Sequence, residues 1–165
     1  MAPSAPSAAS LDQDIDRAAQ LGPGTKVLRM NQRPDYPEHF PYHAHIYYEA
    51  ATRARAMAIN QHLRDAMASG GSPRVLFVGS LRDGKAGPHP ISQFEIHFTR
   101  GALADVRAFI VASGVRALIH PLTDDDVADH TSLAEWIGEP LAMDVSTLDP
   151  PGQNKGVARF GVADF

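Results

Sequence analysis

The stretch His43-Ala44-His45-Ile46-Tyr47-Tyr48 constrains this chain more than any other. Its aromatic and β-branched content favours an extended backbone. Side chains of a strand alternate between faces. His43, His45 and Tyr47 therefore share one side, and Ala44, Ile46 and Tyr48 the other. A fold built on this strand gives one face to a core and the opposite face to imidazoles.

Two later segments repeat the pattern. Over residues 93–98, Glu95 and His97 share a face, opposed by Phe94, Ile96 and Phe98. Over residues 116–120, Leu118 and His120 oppose Ala117 and Ile119. Residues 74–81 read as a further strand. Residues 50–68 form a helix whose stripe is Ala56, Ile59 and Leu63. Residues 102–113 form another, carrying Leu103, Val106, Phe109 and Ile110. Gly70-Gly71 and Gly114 end them. The order β-α-β-β-α-β predicts a ferredoxin-like α+β fold, with an antiparallel sheet and helices on one face. Residues 124–138 read as an acidic-capped helix, with Asp129 as a cap and Trp136 in the core by its helical spacing from Leu133. Residues 141–145 are expected to add a fifth, edge strand.

Residues 41–149 are thus the expected ferredoxin-like domain. Residues 1–40 are expected to be an N-terminal tail and extended lead-in, and 150–165 a C-terminal tail. The Ala/Pro/Ser-rich start has neither the basic nor the apolar region of a secretory signal. No apolar run approaches the roughly 18 residues of a membrane span. A cytoplasmic location without membrane contact is expected. A net charge of -4, with no basic cluster, argues against a nucleic-acid surface.

In the ferredoxin-like order the first strand lies between the third and fourth. The apolar sets face the helices, so the polar sets share the helix-free face. Direct cross-strand neighbours have Cβ atoms about 5 Å apart, close enough for side chains to ligate one ion jointly. The chain has no cysteine, so a metal there must take imidazole, carboxylate or water. Two histidines and one carboxylate suit non-haem Fe(II) and leave positions for a bidentate substrate and dioxygen. Three histidines and a water suit zinc. Composition does not choose between them. His89, set between Pro88 and Pro90, is a candidate acid/base or substrate donor, or an ordinary turn histidine. His130 is a supporting or surface residue, and His39 and His62 are given no role.

The ordered set His43-Ala-His45-Ile-Tyr47-Tyr, Gly87-Pro-His89-Pro with Phe94-Glu95 following, His120-Pro-Leu-Thr, Asp129-His130 and Ala134-Glu-Trp136-Ile-Gly138 resembles the DOPA 4,5-dioxygenase family. The resemblance runs from about Pro41 to Asp149. It implies a ferredoxin-like fold, often dimeric, and extradiol cleavage of a catechol, L-DOPA being the usual family substrate, by dioxygen. His43, His45, His89 and His120 match its motifs, with Glu95 and His97 in the strand after the loop. The expected metal set is His45, His120 and Glu95. His43, His89, His97 and Tyr47 are then acid/base or substrate-orienting groups. Fe(II) is the expected metal, with zinc or another divalent ion as the alternative. Two other readings stay open: a zinc-dependent hydrolase or isomerase on the same histidines, and a non-catalytic homodimeric module whose open sheet face packs on its partner.

Overall fold

A computed structural model describes residues 34–153. The expected polar helix over residues 11–20 lies outside them. Five strands form one antiparallel sheet in the spatial order β2-β3-β1-β4-β5. They are β1 (Pro41–Tyr47), β2 (Phe77–Val78), β3 (Gln93–Thr99), β4 (Ala117–Pro121) and β5 (Glu135–Ile137). Helix α1 (Arg53–Ser69) connects β1 to β2, and α2 (Leu103–Ser113) connects β3 to β4. A short α3 (Asp126–His130) precedes β5. This is the ferredoxin-like α+β arrangement with an added edge strand.

Alternation along β1 divides the molecule. Tyr42, Ala44 and Ile46 point into the main core, with Phe94, Ile96 and Phe98 of β3 and Ala117 and Ile119 of β4. The helices close that core with Ala56, Ile59 and Leu63 of α1 and Val106 and Ile110 of α2. Each fully buried large apolar side chain contributes about 1.5–3 kcal/mol relative to exposure. The core therefore fixes the strand register, because a one-residue slip would exchange the two faces. Helix α1 ends at Gly70, whose φ of +68 lets its N–H reach back to the carbonyls of Ala66 and Met67. Before β1, Tyr36 and Phe40 stack at 4.1 Å and pack on the same core.

Three expected elements differ. The helix over 124–138 is in fact α3 followed by strand β5. Leu133 and Trp136 are three apart, which fits a helix, but Ala134 and Trp136 also alternate with Glu135 and Ile137. The strand reading wins because β5 completes the free edge of β4. It sets Trp136 on the histidine side, not in the main core. Glu135 instead meets Arg107 of α2 through two 2.6 Å hydrogen bonds. The segment 141–145 is consequently no strand; Leu141 and Met143 pack over the histidine face. The strand over 74–81 shortens to Phe77–Val78.

The histidine face is not open. Tyr47, Leu118 and Ala134 form a second buried cluster there, with Ile91, Trp136, Leu141 and Met143 packed against it. Those side chains come from the loop before β3, from β5 and from the segment after it. The open sheet face on which the non-catalytic module reading rests is thus covered among the described residues. Among the described residues no helix is long and apolar enough to cross a membrane.

Candidate metal centre

Register places the polar side chains of three strands side by side. His43 pairs with His97 on β3 and with His120 on β4. His45 pairs with Glu95 and Leu118, and Tyr47 with Gln93. All of these side chains are buried. The loop before β3 adds His89, and α3 adds His130. Six imidazoles and one carboxylate thus meet in one polar interior.

Local structure holds each loop-borne group. Ala86 and His89 exchange two backbone hydrogen bonds across Gly87, whose φ is +53. Asp144 N–H donates to the Pro88 carbonyl, and Lys85 pairs with the Asp144 carboxylate at 2.6 Å. The His89 loop is thereby tied to the segment after β5. Helix α3 is capped by Asp125, whose carboxylate accepts from Ala128 N–H at 2.9 Å. Asp129, expected to be a cap, is fully buried and accepts from both the amide and the hydroxyl of Thr123. Burial pushes its carboxyl up to about 6 despite those two bonds.

The histidines are oriented by their Nδ1 atoms. His120 Nδ1 donates to the Pro121 carbonyl at 2.7 Å, and His130 Nδ1 to the Asp126 carbonyl at 2.9 Å. His45 Nδ1 lies 3.3 Å from the Gln93 side-chain oxygen. A carbonyl can only accept, so these contacts leave the Nε2 lone pairs free in the neutral rings. The Nε2 atoms of His45 and His120 then face each other at 3.2 Å. Two converging lone pairs repel unless a cation lies between them. At about 2.0–2.1 Å from one ion, neighbouring nitrogens would stand about 3 Å apart. The donor set therefore fits a divalent metal.

Electrostatics points the same way. Burial, reinforced by the His89, His120 and His130 imidazoles, holds His45 well below the ordinary histidine range. Burial and His130 do the same to His120. His89 is lowered to about 3, by burial and then by His130. All three are neutral at physiological pH, the form that binds metal. The Tyr47 hydroxyl lies 2.8 Å from His89 Nδ1, and its ring stacks on Trp136. Burial raises its phenol, so it stays protonated.

Three groups have ligand atoms mutually close enough for one ion: His43, His45 and His120; His45, His89 and His130; and His43, Glu95 and His97. The expected set His45, His120 and Glu95 is not among them. The structure brings His45 to His120, whereas Glu95 gathers with His43 and His97. Two residues outside the expected set, Gln93 and His130, also belong to the site. Parity could have found Gln93, since it precedes Glu95 and His97 on the same face of β3. His130 carried the weaker signal of lying beside Asp129 at the end of a predicted element.

Residues 42–147 match the model of the Dopa 4,5-dioxygenase family. The chain belongs to that family. Among its relatives is a DOPA 4,5-dioxygenase of Amanita muscaria, 28% identical over 112 residues, which span 65% of this chain and 49% of that protein. An uncharacterized 21.2 kDa protein of Botryotinia fuckeliana is 34% identical over 79 residues, 42% of this chain and 43% of the other. The chain thus spans about half the length of the curated relatives it matches. In structure it resembles a "putative dioxygenase" of Nostoc punctiforme solved by crystallography. The TM-score is 0.60 at 28% identity, covering 70% of this chain and 96% of that one. Every histidine of the polar interior lies within the stretch matched to the Dopa 4,5-dioxygenase family.

Proposed function

We propose that this chain is a metal-dependent extradiol dioxygenase that opens a catechol, such as L-DOPA, with dioxygen. The observation that carries the reading is the 3.2 Å approach of His45 Nε2 to His120 Nε2, with both Nδ1 atoms engaged elsewhere. His43 completes that set. Family membership and the Amanita muscaria relative support a DOPA-type dioxygenase reaction.

A bound Fe(II) would supply Lewis acidity and a common anchor for substrate and dioxygen. The chain's own residues do the rest. Gln93 and the Pro121 carbonyl hold the His45 and His120 rings in place. His89 is a neutral base beside the pair, its ring centroid 4.0 Å from that of His45. Being neutral, it can take the proton of a catechol hydroxyl and later return it. Tyr47 fixes the far nitrogen of that ring. Leu118, Trp136 and Met143 wall the histidines with apolar surface and exclude water.

The all-imidazole character of the His43, His45 and His120 set favours a second reading, a zinc-dependent hydrolase or isomerase. One assay separates the two. The protein is loaded anaerobically with Fe(II) or with Zn²⁺ and mixed with L-DOPA or simpler catechols. Oxygen uptake and a new visible band from a semialdehyde product, with Fe(II) alone, are expected. No oxygen uptake from any iron-loaded sample would end the dioxygenase reading.

A further inference from the structure

We propose that His43, Glu95 and His97 form a second divalent-cation site beside the His45–His120 pair. It is additional to the centre on which the proposed reaction rests; a neutral imidazole has one free lone pair, so with both ions bound His43 ligates the second and His45 and His120 hold the first.

The ligand atoms of these three side chains lie within 4.8 Å of one another, and all three residues are buried. The group is one carboxylate with two imidazoles, the composition that holds Fe(II), Mn²⁺, Co²⁺ or Zn²⁺ where no sulfur is available. It is the only group among the three that contains a carboxylate.

The carboxylate is the independent observation. The Glu95 side chain is 6% exposed, yet its Oε2 has no hydrogen-bond partner among the described residues. A buried carboxylate oxygen without a donor is destabilising unless a cation compensates it. Oε1 lies 3.6 Å from His97 Nε2, which leaves Oε2 to be satisfied separately.

The surroundings hold the three groups in place. The His43 and His97 rings stack at 3.8 Å, and Phe77 packs against His97 with ring centroids 4.7 Å apart. Gly79 runs against Glu95, donating its N–H to the Glu95 carbonyl at 2.8 Å. A Cβ at Gly79 would stand 3.1 Å from Glu95 Cγ. Helix α1 clamps the Gly79 carbonyl from behind, with the buried Asn60 at 2.8 Å and Arg64 at 3.2 Å. Arg53, at the start of the same helix, holds the loop further along through two hydrogen bonds to the Asp83 carboxylate.

The test counts metal. Full-length protein is stripped of metal and titrated anaerobically with Co²⁺, following visible absorbance and bound cobalt by equilibrium dialysis. Two equivalents are expected. Glu95→Gln, nearly isosteric, should bind one, as should His97→Gln. His120→Ala should also bind one, with a different spectrum. His43→Ala should weaken the second site. A single equivalent in the unaltered protein overturns the second site; if His120→Ala removes it and Glu95→Gln keeps it, the dioxygenase centre still stands. Two equivalents in both Glu95→Gln and His97→Gln, with circular dichroism unchanged, would overturn the assignment to these residues.

Discussion

The side-chain oxygen of Gln93 lies 3.3 Å from His45 Nδ1, inside the sheet face that carries every strand histidine of the site. It turns the His45 Nε2 lone pair toward His120. Replacing Gln93 by Leu keeps the volume and removes the acceptor. Metal affinity should fall about 10–100-fold, the usual effect of losing a partner behind a ligand. Competition titration against a chromophoric chelator reads this directly, and an unchanged affinity would remove Gln93 from the site.

Tyr47→Phe deletes the hydroxyl that meets His89 and leaves the stacking on Trp136. The loss should appear in kcat, by about 10–100-fold, with KM and bound metal little changed. A change confined to KM would instead make Tyr47 a substrate contact.

His120→Ala removes one half of the facing pair and should abolish nearly all turnover. His62 offers the matched control: it is exposed on α1 and stacks on Phe109 with centroids 5.3 Å apart. Its replacement by Ala should leave turnover intact and alter stability by no more than about 0.5 kcal/mol. Chemical denaturation and an oxygen electrode distinguish the two variants.

Acid should unfold the metal-free protein. His45, His89 and His120 all have folded values below the unfolded value of about 6.5. A depressed folded pKa contributes stability that is present above 6.5 and lost as pH falls toward about 3, the value of His89. Three protons taken up on unfolding give a slope of about 4 kcal/mol per pH unit at its steepest. Asp129, raised to about 6, acts in the opposite sense. Its contribution is full below about 4 and fades as pH rises through 6, so it offsets one proton of the three between those limits. Melting temperatures should therefore drop steeply below pH 6, and metal should restore them by holding the imidazoles neutral.

Much of the fold is written in period two. The opposed sets of β1, β3 and β4 assign core and site faces without coordinates, and the βαββαβ order supplies the neighbours. The segment 131–137 resisted because Leu133 and Trp136 satisfy helical spacing while Ala134 and Trp136 alternate with Glu135 and Ile137. Only the open edge of β4 decides between them. The metal set was harder still. Parity places Glu95 opposite His45 in the register, but a carboxylate's reach depends on its rotamer, and this one sits with His43 and His97. The folding of His89 and His130 onto the sheet depends on loop contacts, among them the Asp144 hydrogen bond to Pro88, which no local pattern announces.

Strand β1 presses Ile46 into the hydrocarbon interior while its neighbours His45 and Tyr47 face the proposed chemistry. Inheritance of one half without the other is impossible: an insertion or deletion inside those seven residues would swap oil for ligand at every position beyond it. Diversity among related chains should accordingly accumulate in the covering loops, which can reshape what enters while the strand beneath stays unaltered in length.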